Sequence, residues 1–76
     1  MTDTEVIKLE SLGLTPRQAE VVAWVTQGKS NGMIGTILGI SPRTVQKHLE
    51  RAFPKLGVES RTEAATHALA FVWKNN

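Results

Sequence analysis

Helix punctuation limits this chain more than any other feature of its sequence. Thr15-Pro16 and Ser41-Pro42 each place a hydroxyl side chain before a proline. That order opens an α-helix: the hydroxyl caps a free backbone N–H, and proline takes the first helical position, where its missing N–H costs nothing. Gly28, Gly39 and Gly57 stand where a helix needs a left-handed closing residue. No strand-like alternation competes with these signals.

Four helices follow from the punctuation. The first runs from Pro16 to about Gln27, with Gln18 placed to complete a capping box with Thr15 and with Val21, Val22, Trp24 and Val25 as its buried stripe. The second, capped by Ser30, repeats Met33, Ile34, Ile37 and Leu38 at helical spacing until Gly39. Gly32 and Gly35 lie inside it, each costing about 1 kcal/mol relative to alanine, so neighbours must hold it in place. The third, about 42–55, separates into two faces at 100° per residue. Val45, Leu49, Ala52 and Leu56 form one face with Phe53 on its flank, and Arg43, Gln46, Lys47, Glu50 and Arg51 form the other. Pro54 removes the bond to the Glu50 carbonyl and is expected to kink or end the last turn.

Ser60-Arg61-Thr62-Glu63 is a capping box for the fourth helix. Its apolar band, Ala64, Ala65, Ala68, Leu69, Val72 and Trp73, is wide for one small core. Residues 4–12 have the apolar spacing for a further helical turn or two, through Val6, Ile7, Leu9 and Leu12, but lack a strong cap. The expected organisation is a leader or interdomain-linker remnant over 1–13 and an all-α domain over 14–76.

A chain of 76 residues makes one domain and buries only about 60% of its unfolded surface. Apolar residues at 41% and charged residues at 21% suit a globular unit. The absence of cysteine excludes disulfides and thiolate metal sites and fits a reducing compartment. No apolar run approaches the ~20 residues of a membrane span, and residues 1–13 carry acids where a signal peptide needs bases. The expected location is the cytoplasm, with no membrane partner. No nucleophile–base pair, phosphate loop or metal cluster is readable. Glu63 and His67, four apart, are too few for a closed metal site. The reading is therefore no enzyme, no cofactor and no metal.

Five of the nine Lys and Arg residues fall within 41–61: Arg43, Lys47, Arg51, Lys55 and Arg61, against Glu50 and Glu59. A modest footprint of this kind suits a polyanion binder. Two helices joined by the short stretch Gly39-Ile40-Ser41, the second amphipathic with a basic outer face, make a helix-turn-helix from spacing alone. Four blocks in the sequence then sharpen the reading: L-T-P-R-Q-A-E-V from Leu14, G-K-S-N from Gly28, L-G-I-S-P-R-T-V-Q-K-H-L from Leu38 and K-L-G-V-E-S-R-T-E from Lys55. In order and spacing they resemble the signature of the LuxR/GerE-type DNA-binding domain, over about residues 14–73.

The resemblance implies a four-helix domain that binds double-stranded promoter DNA, with its third helix in the major groove and its fourth supporting a homodimer. It also implies an N-terminal receiver or ligand-sensing domain elsewhere in such regulators. By position, Gln46, Lys47 and Glu50 would face base edges. Arg43, Thr44, Lys29, Ser30 and Arg17 would face the DNA backbone, with Arg51, Lys55 and Arg61 as further backbone candidates. The chemistry suits those roles: Gln46 can serve adenine N6 and N7, Lys47 guanine O6 or N7, and Glu50 cytosine N4. Arg43, Lys47 and Arg51, about one turn apart, would release counterions from DNA. The sequence departs from the family where Gln18 replaces a common glutamate, Gly32-Met33 a polar pair, Gly35 an alanine, Ala52 a larger aliphatic and Pro54 a polar or basic residue. A competing reading is a protein-interaction module that uses the apolar band of the fourth helix.

Overall fold

The computed structural model describes residues 3–75; residues 1, 2 and 76, at the ends of the expected leader and domain, lie outside the described residues. Among the described residues all regular structure is helical: α1 (Asp3–Glu10), α2 (Pro16–Thr26), α3 (Asn31–Leu38), α4 (Pro42–Leu56) and α5 (Arg61–Lys74). Helices α2 to α5 are the four expected from the punctuation, and α1 is the further helical segment expected before them.

The caps form as hydroxyl chemistry dictates. Thr15 Oγ1 accepts from the Gln18 amide at 3.2 Å, while Gln18 Oε1 accepts from the Thr15 amide at 3.0 Å, closing the capping box. Ser30, Ser41 and Ser60 accept from the amides of Met33, Thr44 and Glu63, the last being the forward half of the expected box. At the other ends, Gly28, Gly39 and Gly57 all take positive φ, between 70° and 79°. The residue after each glycine donates to a carbonyl five positions back: Lys29 to Trp24, Ile40 to Gly35 and Val58 to Phe53. These are Schellman closures, which satisfy carbonyls the helix leaves open.

Pro54 does not end α4, which continues to Leu56. The proline lies in the last turn, so its only deficit is at the Glu50 carbonyl, on an exposed residue that water reaches. The carbonyls of Phe53 and Pro54 are taken by the amides of the Gly57 closure.

Helix α2 is the centre of the molecule, packing on α1, α4 and α5, and α3 packs on α4. Ala19, Val21, Val22 and Ala23 are fully buried in α2, facing Val45, Leu49 and Ala52 of α4 and Ala64 and Ala68 of α5 within one core. Helix α1 packs on α2 and α5 and buries Leu9.

Two apolar bands are only half used. In α3, Ile34 and Gly35 are buried, but Met33 and Ile37 are 48% and 47% exposed. A helix with a single main packing partner has room for one narrow stripe. In α5, Ala64 and Ala68 are buried and let that helix lie close to the core, whereas Leu69 and Trp73 are 55% and 80% exposed.

Of the glycines, Gly35 is the one whose missing side chain admits a close backbone neighbour. A Cβ there would lie 2.5 Å from the Ile40 carbonyl oxygen and 3.4 Å from the Pro42 nitrogen. The turn into α4 therefore runs directly over the α3 backbone. The glycine that lowers α3's intrinsic helicity is what admits this helix-turn-helix geometry.

Candidate nucleic-acid interface

The outer face of α4 is built by the same residues that define its inner face. Val45, Leu49, Ala52 and Leu56 are buried, and this fixes the rotation of the helix. Arg43, Gln46, Lys47, Glu50 and Arg51 are consequently all exposed. Among the described residues none of Arg43, Lys47 and Arg51 takes part in an ion pair, so their charges face solvent. His48, between the faces, is half-buried. At the start of the helix, Thr44 is half-buried and its hydroxyl lies 2.9 Å from Ser41 Oγ.

The other expected contact residues serve the scaffold as well as the surface. Arg61, the first residue of α5, is half-buried and acts as a fork: Nη1 donates to Asn31 Oδ1 and Nη2 to the Lys29 carbonyl, both at 2.6 Å. It thus ties the α2–α3 turn and the first residue of α3 to α5. A guanidinium is suited to this because its donors diverge in a rigid plane. Lys55 is exposed at the end of α4 and donates to Gln18 Oε1 at 2.9 Å. The oxygen that completes the α2 capping box therefore also anchors α4. Arg17 pairs with Glu20 at 3.7 Å, an exposed i,i+3 contact of small energetic weight. Lys29 is half-buried in the turn, and the Ser30 hydroxyl caps α3.

One member of the site carries no signal in the local sequence pattern. Asn31 donates through Nδ2 to Gln46 Oε1 at 3.0 Å, and Gln46 Nε2 in turn donates to Glu50 Oε1 at 3.4 Å. Glu50 thereby meets Gln46 rather than the cations beside it. The sequence contains Asn31 within the G-K-S-N block, but its partners lie 15 and 30 positions away, beyond the reach of short-range periodicity.

Among the described residues no group of acids and histidines is placed to hold a metal ion, and no helix is long and apolar enough to cross a membrane. The interface offers a row of exposed polar side chains along one face of α4. Such a surface is chemically suited to hydrogen-bond and charge recognition in a groove.

Comparison with known proteins gives the same direction. Residues 12–68 match the model of bacterial regulatory proteins of the luxR family. Over 59 residues the chain is 49% identical to the transcriptional activator protein BjaR1 of Bradyrhizobium diazoefficiens, covering 78% of this chain and 24% of that protein. It is 46% identical over 56 residues to the quorum sensing-dependent transcriptional regulator RpaR of Rhodopseudomonas palustris, covering 74% and 23%. It is 40% identical over 60 residues to the transcriptional regulatory protein DegU of Brevibacillus brevis, covering 79% and 25%. The chain spans a quarter or less of the length of these relatives. No solved structure matches it significantly.

Proposed function

The chain belongs to the luxR family of bacterial regulatory proteins, and from that premise we propose that it binds promoter DNA sequence-specifically, with α4 seated in the major groove. Gln46, Lys47 and Glu50 read base edges. Arg43, Thr44 and Arg51 hold phosphates, with Arg17, Lys29, Ser30, Lys55 and Arg61 along the flanks. The observation that supports this reading best is the two-sided construction of α4: four buried apolar residues turn five polar ones outward. Phosphate contacts supply affinity and base contacts supply discrimination. The charged groups of Arg61 and Lys55 already hydrogen-bond within the fold, whereas Lys29 is engaged only through its carbonyl, so the free charges of Arg43, Lys47 and Arg51 on α4 bear most of the electrostatic attraction.

The test is selection from a pool of randomised duplexes, followed by titration of the selected site at two salt concentrations. Affinity is expected to fall steeply with salt, and Arg43→Ala to flatten the slope by about 0.9 for each phosphate that the arginine neutralised. Lys47→Ala relaxes one base position, whereas Arg43→Ala weakens all sequences alike. Equal, uniform losses from both variants, or salt-independent binding, would refute the assignment.

Self-association through α5 is part of the same proposal, supported by the exposed Leu69 and Trp73. An input domain, a receiver or ligand sensor, acts upstream of this one. The same two side chains support the second reading, a protein-interaction module, which predicts partner binding without a salt-dependent DNA affinity.

A further inference from the structure

Resting on the reading of α4 as the DNA-contacting helix, we propose that Asn31, on α3, is a positioning residue that fixes the amide of Gln46 and so decides which base this helix prefers opposite it. The inference comes from the polarity of one hydrogen-bond chain. Arg61 Nη1 donates to Asn31 Oδ1 (2.6 Å), Asn31 Nδ2 donates to Gln46 Oε1 (3.0 Å), and Gln46 Nε2 donates to Glu50 Oε1 (3.4 Å).

Side-chain amides are nearly symmetric in shape, and only their partners decide which end is oxygen. Here both ends of the chain are unambiguous. A guanidinium can only donate, and an ionised carboxylate can only accept. Arg61 therefore claims the oxygen of Asn31, which turns its NH2 toward Gln46. That NH2 claims the oxygen of Gln46, which turns the second NH2 toward Glu50. Reversing either amide would set N–H against N–H at one junction and oxygen against oxygen at the next.

Gln46 is not exhausted by these bonds. Its oxygen keeps one lone pair and its nitrogen one N–H. Side by side, these match adenine N6 and N7, which donate and accept in the same order. Guanine presents acceptors at both O6 and N7, so an amide held in this orientation sets its oxygen against one of them. An amide free to rotate loses much of that distinction. Asn31 thus acts on the DNA through Gln46, from a helix that does not itself enter the groove in this reading.

Asn31→Asp isolates the effect. The substituted side chain still offers Arg61 an acceptor, so the tie between α3 and α5 persists, but it has no N–H for Gln46 Oε1. Duplex selection is run with the unaltered protein, Asn31→Asp, Asn31→Ala and Gln46→Ala, scoring base preference rather than affinity because the added carboxylate repels phosphates everywhere. Gln46→Ala is expected to relax one base pair. Asn31→Asp is expected to weaken preference at that same base pair by about fivefold or more, with the other positions and the thermal midpoint nearly unchanged. The same base retained at full strength in Asn31→Asp, or a relaxed position different from that of Gln46→Ala, would overturn the proposal.

A readout without DNA separates this proposal from the one beneath it. In the free protein, the side-chain amide resonances of Gln46 should shift in Asn31→Asp; unchanged resonances overturn the relay. Absence of any sequence preference in the unaltered protein would instead sink the DNA reading itself.

Discussion

Arg61→Ala tests whether α3 is held from outside or stands by itself. Helix α3 has eight residues, two of them glycine, and buries only Ile34 and Gly35. Each glycine costs about 1 kcal/mol relative to alanine, and isolated helices of this length do not form in water. Its attachment to the body comes from packing on α4 and from the two Arg61 bonds of 2.6 Å. A hydrogen bond to a charged group contributes about 1.5–3 kcal/mol. Because Arg61, Lys29 and Asn31 are only half-buried, water replaces part of what the arginine provides. The expected loss for Arg61→Ala is therefore about 2 kcal/mol, a large share of the roughly 4–11 kcal/mol typical for a chain of this size. The midpoint of thermal unfolding, followed by circular dichroism, should drop by about 8–16 °C. Arg61→Lys should recover less than half of the loss, since an ammonium cannot span two acceptors as a fork does. A cycle with Asn31→Ala should reveal coupling of about 1 kcal/mol. A loss below about 0.5 kcal/mol, or strict additivity in the cycle, would refute the claim that this arginine holds the helix-turn-helix together.

Three other outcomes follow from particular contacts. Gln18→Glu places a carboxylate where the amide oxygen now accepts from Thr15 N and Lys55 Nζ. Unfolding free energy at neutral pH should rise by about 0.5–1 kcal/mol, and the gain should vanish in melts below about pH 4, where carboxylates protonate. Gly35→Val sets a branched side chain against the Ile40 carbonyl, 2.5 Å from its first carbon; urea titration should show a loss of about 1–3 kcal/mol, and an unchanged midpoint would contradict the close approach. Trp73→Glu removes the most exposed large apolar side chain among the described residues; sedimentation should shift toward the monomer with little change in melting temperature, and an unaltered mass would remove α5 from the association surface.

Local chemistry was legible in the sequence, and long-range geometry was not. Thr15, Ser30, Ser41 and Ser60 announce their caps because the bonds they form reach only three residues ahead. Gly28, Gly39 and Gly57 announce the helix ends for the same reason. The inner row of α4 was readable because four apolar residues at helical spacing have one way to face a core. Met33, Ile37, Leu69 and Trp73 fit the helical spacing equally well, yet lie at the surface: periodicity tells which side chains share a face, not how much of that face a small core can cover. Gly35 reads as a weakness until the carbonyl of Ile40 is seen over it. Arg61 reads as a surface charge until its two acceptors on the far side of the α2–α3 turn are located. Of the outward row, the charges could be placed from the sequence, but the tie between Asn31 and Gln46 depends on how two helices cross.

The division of α4 into buried and exposed rows has a consequence for how such a protein diversifies. Positions 45, 49, 52 and 56 answer to folding, while 43, 47 and 51 answer only to whatever lies outside, although the two sets alternate along fifteen residues. Substitutions can accumulate in the second set without taxing the first: in the proposed reading a change at 47 alters base preference, whereas changes at 43 and 51 adjust affinity alone, all on an unaltered body. Position 46 is the exception, because a new residue there must also suit its neighbour on the preceding helix; changes at 31 and 46 are therefore expected to arrive together.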